Sequence, residues 1–148
     1  KLDAICHATS TDGVNFDKDA TNPIFAPREP YMVMPEWSCG RAIDADVCIF
    51  DGKLFLYWAT RDREFKRQIV GVAAAPLDSG FGRGSFEGYP DIVLEPTLPW
   101  EKDCIEAPAA MVRDGKVYLF YAGAYNCAPQ RVGCAVSSDG YHFERLFV

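Results

Sequence analysis

Two carboxylates carry the clearest chemical signal in this sequence. Asp46 stands in Ala45-Asp46-Val47, and Glu106 stands in Ile105-Glu106-Ala107-Pro108. Glu106 is the residue that a structural role explains least. Two carboxyl groups sharing one space can act as proton donor and partner, the minimum equipment for hydrolysing a glycosidic bond. Polar residues that fall at the same strand ends are candidates for holding a substrate: Arg41, Asp44, Arg61, Tyr125 and Asn126. Asp44 competes with Asp46 for its role, or caps a turn. Arg41 and Arg61 suit either a carboxylate-bearing sugar or plain solvation. Sugar faces stack on aromatic rings, and Trp37 and Trp100, both in loops, suit that better than Trp58, whose place in a strand pattern suits the core.

These residues need a scaffold, and the sequence repeats itself in a way that defines one. Asp51-Gly-Lys-Leu-Phe-Leu-Tyr-Trp-Ala59 matches Asp114-Gly-Lys-Val-Tyr-Leu-Phe-Tyr-Ala122 at an offset of 63. Val70 to Ala75 echoes Val132 to Ser137 at an offset of 62. Ile5 to Phe16 echoes Val132 to Phe143 at 127, close to twice that period. Asp-Gly between apolar or β-branched runs is a hairpin signal. It predicts strands at 46–50 and 54–59, and at 109–112 and 117–122. Third strands follow at 69–75 and 131–137, and fourth strands at 92–95 and 142–147. No segment shows an apolar stripe at helical spacing, and Pro and Gly punctuate the connections. Asp12-Gly13 and Asp139-Gly140 read as turns.

Four antiparallel strands recurring about every 60 residues describe a propeller blade. The expected architecture is all-β, about two and a half blades of a five-bladed β-propeller. The expected divisions are a half blade at 1–25, a loop at 26–43, and blades at 44–97 and 104–148. A β-sandwich is the competing reading, but it requires no constant period.

The motifs resemble those of the five-bladed propeller glycosidases, glycoside hydrolase family 43 and the related family 32/68 clan. That resemblance implies that Asp46, six residues before Gly52, tunes the proton affinity of the acid. It implies that Glu106, nine residues before Gly115, is the general acid. The family's catalytic base is an Asp, usually followed by Pro, on the first strand of the first blade. No Asp-Pro dipeptide occurs here, so the base is expected outside this chain, in a partner copy or in further blades. The implied function is a glycoside hydrolase-like propeller acting on an oligo- or polysaccharide. The alternative is a carbohydrate-binding or self-assembling half-propeller without catalysis.

Composition narrows the other classes. With 49% hydrophobic and 24% charged residues, the chain reads as globular. A net charge of −6, without a basic stripe, argues against nucleic acid as partner. Apolar runs far shorter than the ~20 residues of a spanning helix argue against a membrane. Two scattered histidines, His7 and His142, and six cysteines without a CxxC pair predict no metal and no cofactor. Cys6, Cys48 and Cys134 lie in apolar runs and read as small hydrophobes. Cys39, Cys104 and Cys127 lie near turns and are the candidates for any bridge. Reduced cysteines and no visible signal peptide favour the cytoplasm slightly. An incomplete ring predicts a homodimer or homo-oligomer, with Ile5, Ile24, Val117 and Phe143 on the uncovered faces.

Overall fold

The structure, a computed structural model, describes residues 3–27, 32, 41–124 and 128–146. The described elements are all strands. β1 (Ala8–Thr9) and β2 (Asp17–Lys18) pair as a short ribbon. β3 (Ile43–Phe50), β4 (Lys53–Arg61), β5 (Gln68–Pro76) and β6 (Glu87–Gly88) form one sheet in chain order. β7 (Ile105–Arg113), β8 (Lys116–Gly123), β9 (Arg131–Ser137) and β10 (Glu144–Arg145) form a second. Every pairing of neighbours is antiparallel. The fold is all-β, with two four-stranded antiparallel blades.

The two leading hairpins turn on Asp51-Gly52 and Asp114-Gly115. All four residues have positive φ, between 44° and 71°. A two-residue turn of this hand matches the twist of the strands, and Asp-Gly adopts it at least cost. The period of 63 extends to backbone irregularities. Register shifts by one residue between Ile43 and Asp46, and again between Glu106 and Ala109. Within these bulges Asp44 and Ala107 adopt φ of 52° and 50°. Thus each blade's first strand is bent at the same place, near its start.

Alternation along β4 builds two cores. Phe55 and Tyr57 face the second blade, joining Val70 and Val72 with Ile105, Val117, Leu119 and Tyr121 in one buried cluster. The Tyr57 hydroxyl crosses between blades to donate to Gly140 O at 2.9 Å. Leu56 and Trp58 face the other way, packing with Ile24, Phe25, Ala42 and Ala73. Trp58 is fully buried, edge-on to Phe25 at 4.9 Å between ring centroids. It is a core residue, as its strand position predicts.

The Asp-Gly turns at 12–13 and 139–140 share one set of bonds. Asp12 Oδ1 accepts from Val14 N and Asn15 N at 2.9 and 2.8 Å. Asp139 Oδ1 accepts from Tyr141 N and His142 N, both at 2.9 Å. The Asn15 and Val14 amides hold Asp12 well below the usual carboxylate range. At Asp139 burial pushes upward, but the His142 and Tyr141 donors outweigh it and the group also lies low.

Several expectations need correction. The fourth strand of the first blade is at Glu87–Gly88, not 92–95. Val93 and Leu94 are apolar because they are buried under the blade, and only Leu94 makes a bridge, to Val70. The last strand is limited to Glu144–Arg145 within the expected 142–147. Ile24 and Val117 are buried, not exposed. Ile24 packs under the first blade, and Val117 points from β8 into the space between blades. Ile5 and Phe143 are partly buried against the same two clusters. Among the described residues, exposed apolar side chains include instead those on the other side of β7–β9, Met111, Phe120 and Val132, the last 75% exposed, and Val47 and Ile49 on β3. Cys6 is exposed rather than buried, because its strand pairing is sparse there. Cys48, Cys104 and Cys134 are buried free thiols, so Cys104 is no bridge partner. Cys39 and Cys127, and most of the Pro-rich 26–40 stretch, lie outside the described residues.

Candidate active site

Glu106 occupies the second position of β7, paired with Ala122, immediately before the bulge. The bulge directs the strand away just where its side chain emerges, leaving Glu106 only partly buried while Ile105 is fully buried. Gln68 Nε2, from the start of β5 in the neighbouring blade, donates to Glu106 Oε2. Gln130 Nε2 donates to Oε1 at 3.3 Å and also to Ala124 O at 3.2 Å. The carboxylate is therefore gripped by two amides, one from each blade.

Beneath it lies Cys104, bridged in parallel to Gln68. Burial first, then the Glu106 charge and its bond to the thiol, push the Cys104 thiol up to about 12, against the opposing fields of Arg61 and Arg41. A thiol in this state is a neutral donor rather than a nucleophile. The charged groups that act on it are Glu106, Arg61 and Arg41.

Asp46 lies beyond the equivalent bulge, on β3. It is offset from Glu106 in blade terms: Ile43 is the residue matching Glu106, and Asp46 matches Ala109. Asp46 Oδ2 accepts from Ala110 N of β7 at 2.7 Å. This bond ties the first strands of the two blades together and fixes the carboxylate beside the strand that carries Glu106. Asp44, in the bulge, is exposed. Arg41 is bridged to Asp3, with its Nε 3.9 Å from Asp3 Oδ2. Arg61 closes β4 with its guanidinium over the Phe65 ring at 5.5 Å. The structure thus gathers Glu106, Arg41 and Arg61 at one end of the blades, with Asp46 and Asp44 along the adjoining strand. Trp37, Tyr125 and Asn126 lie outside the described residues.

Trp100 is not a free stacking platform. It lies parallel to Tyr121 at 6.1 Å and fills the space above Gly123, where a Cβ would meet its ring at 2.4 Å. A cavity of about 560 Å³ lined by Lys53, Phe86, Tyr89 and Tyr141 sits at the opposite end of the blades, away from Glu106. Among the described residues no group of three or more His, Cys, Asp or Glu side chains could hold a metal ion.

Sequence reasoning missed three residues here. Gln68 and Gln130 are ordinary polar residues until the blades are packed. Glu101 is fully buried, bonded to Arg145 at 2.8 and 3.0 Å, to the Tyr121 hydroxyl at 2.7 Å, and to the amides of Thr97 and Leu98. Its place is structural: it anchors the connection between blades to the last strand. Burial acts to raise Glu101, but the Arg145 guanidinium, the two amides and the tyrosine hydroxyl together hold it low. The only signal for it was a Glu beside Trp in a Pro-rich connection.

No family model matches the sequence, and no curated protein matches it significantly. Solved structures do. Zg3597, a family 117 glycoside hydrolase produced by the marine bacterium Zobellia galactanivorans, is 27% identical with a TM-score of 0.70, covering 98% of this chain and 41% of its own. A putative glycoside hydrolase from Bacteroides ovatus is 22% identical with a TM-score of 0.64, covering 86% of this chain and 38% of its own. The GH43_1 enzyme from Xanthomonas citri complexed with xylotriose is 24% identical with a TM-score of 0.57, covering 70% and 31%. The chain spans about two fifths or less of the length of these neighbours. Its fold is that of a partial propeller like those of glycoside hydrolases of families 117 and 43.

Proposed function

We propose that this chain supplies the acid half of a glycoside hydrolase site in a five-bladed propeller. Glu106 donates a proton to the leaving oxygen of an oligo- or polysaccharide, and Asp46 tunes and positions that acid from the next strand. The observation that carries this reading is the placement of Glu106. It stands partly exposed at a bulge on the first strand of a blade, its carboxylate oriented by Gln68 and Gln130. A structural carboxylate in such a core would be sealed, as Glu101 is. Arg41, Arg61 and Asp44 are read as substrate contacts at that end, and Trp37, Tyr125 and Asn126 stay candidates on the sequence alone. The base comes from outside these 148 residues, with the ring completed by a second copy or by further blades. We read the chain as a half blade at 1–25, a loop at 26–43 and blades at 44–97 and 104–148.

A second reading, a sugar-binding propeller without turnover, is favoured by the bond of Asp46 to Ala110 N, which gives that carboxylate a structural duty. Release of reducing ends from pentose and hexose oligosaccharides separates the two. Glu106→Gln removes the proton and keeps the shape, so it is expected to lower turnover by about 10²–10⁴-fold with unchanged melting. Turnover equal to wild type would overturn the acid role.

A further inference from the structure

The cavity at the end of the blades remote from Glu106 has no part in the chemistry described so far. Its volume of about 560 Å³ is that of a small-molecule site. Its walls come from both blades. Lys53 opens β4, Phe86, Glu87 and Tyr89 lie on or beside β6, and Tyr141 follows the Asp139-Gly140 turn of the second blade. β6 pairs with β5 for only two residues, Ala73 with Gly88 and Ala74 with Glu87, and the hollow lies where the chain leaves that short pairing.

Two tyrosine rings form one wall. Tyr89 and Tyr141 lie 4.8 Å apart between centroids, tilted by 38°. Both rest on the core between the blades, and both line the hollow. Tyr89 is held at three points. Its amide donates to Val72 O at 2.9 Å. Its ring lies against Tyr141. Its hydroxyl lies 3.2 Å from His142 Nε2, and His142 Nδ1 lies 2.7 Å from Asp139 Oδ2. Asp139, whose carboxyl lies low, accepts from Nδ1–H, so in the neutral imidazole Nε2 accepts from the Tyr89 hydroxyl. The lone pairs of the Tyr89 oxygen then remain for a donor on a ligand. A ring fixed in this way has little freedom left to lose when something stacks on it, which favours binding.

The rim carries one charge of each sign, Lys53 and Glu87, both exposed. Burial first, then the charges of Glu87 and Asp139, push the Tyr141 hydroxyl up, so the Glu87 carboxylate acts on the same ring. A carboxylate accepts from hydroxyls, an ammonium donates to them, and an aromatic face takes apolar C–H groups. A sugar ring answers all three at once, and a balanced pair of charges asks for no net charge on the ligand.

We propose that this hollow is a second carbohydrate site, holding a neutral saccharide chain on Tyr89 and Tyr141 with its hydroxyls shared between Glu87 and Lys53. It stands apart from Glu106 and does not depend on the reading of Glu106 as an acid. A chain held there is anchored to the protein without being presented for cleavage.

Site-resolved NMR titration of the isotope-labelled 148-residue chain with xylotriose, cellotriose and galactotriose tests it. At least one of these should shift the amide signals of Gly88 and Tyr141 saturably. Glu87→Ala, a change at an exposed position, should weaken that binding about tenfold. Glu87→Gln keeps an acceptor and should retain part of the affinity. Tyr89→Leu keeps apolar volume without the flat ring and should weaken binding about fivefold or more, with melting curves confirming the fold. Glu106→Gln should leave the affinity of the hollow unchanged. Binding of none of the three sugars, shifts confined to the Glu106 end, or unchanged affinity in either Glu87→Ala or Tyr89→Leu overturns the proposal. Full turnover in Glu106→Gln would instead overturn the hydrolase reading and leave this site standing.

Discussion

Asp46 and Glu101 show how differently one residue type can be used. Asp46 has a backbone amide on one oxygen and stays partly exposed. Asp46→Asn keeps an acceptor for Ala110 N, so stability should change by no more than about 0.5–1.5 kcal/mol. Turnover should fall less than in Glu106→Gln, with a displaced pH profile. A profile identical to wild type would transfer the role to Asp44. Glu101 is sealed and fully bonded. Its native pKa lies below the ordinary Glu value, so its contribution is complete above that ordinary value and is lost as pH falls through the native one. Melting temperatures of wild type should fall as the pH is taken below the ordinary Glu value. Glu101→Gln breaks a buried pair and should cost about 3–5 kcal/mol at pH 7, with a flatter acid limb. An unchanged acid limb would contradict the assignment. Tyr121, pushed up to about 12 by burial and then by its bond to Glu101, stays a hydroxyl donor throughout.

Elements were legible where local chemistry decides them. Asp51-Gly52 and Asp114-Gly115 announce their turns, and the offset of 63 announces two copies of one sheet. Apolar runs were less reliable. Val93 and Leu94 look like a strand but are chiefly buried filling, while the short pairing at Glu87–Gly88 has no apolar signature. The bulges left no mark in composition, because one extra residue in a ladder is a register event. Gln68 and Gln130 became visible only once the strands that carry them were packed beside Glu106. Close approach between elements is similarly hidden. Gly123 lies against Trp100 with no room for a methyl group, so Gly123→Ala should cost about 1–3 kcal/mol. Tryptophan fluorescence should shift with it, since the ring must move off Tyr121. A variant with wild-type melting and emission would show that Trp100 is not packed there.

Across the whole molecule, two blades share one continuous core, and the far side of the second is uncovered. Met111, Phe120 and Val132 expose apolar surface on one face of β7–β9, of the kind that marks an interface. A second copy or further blades would cover it. Light scattering on the 148-residue chain should find a species heavier than 16.5 kDa, and Val132→Lys should shift it towards the monomer. A stable monomer would exclude the second copy.

The claim on which the rest depends is that Glu106 protonates a leaving group, and leaving-group dependence tests it most directly. Turnover by Glu106→Gln should be compared with wild type on two glycosides of the same sugar, one with an alkyl aglycone and one with a dinitrophenyl aglycone. The dinitrophenolate needs no proton to depart. With Glu106 as the acid, the loss is about 10²–10⁴-fold on the alkyl glycoside and little on the dinitrophenyl one. Equal losses on both, or none on either, would contradict it.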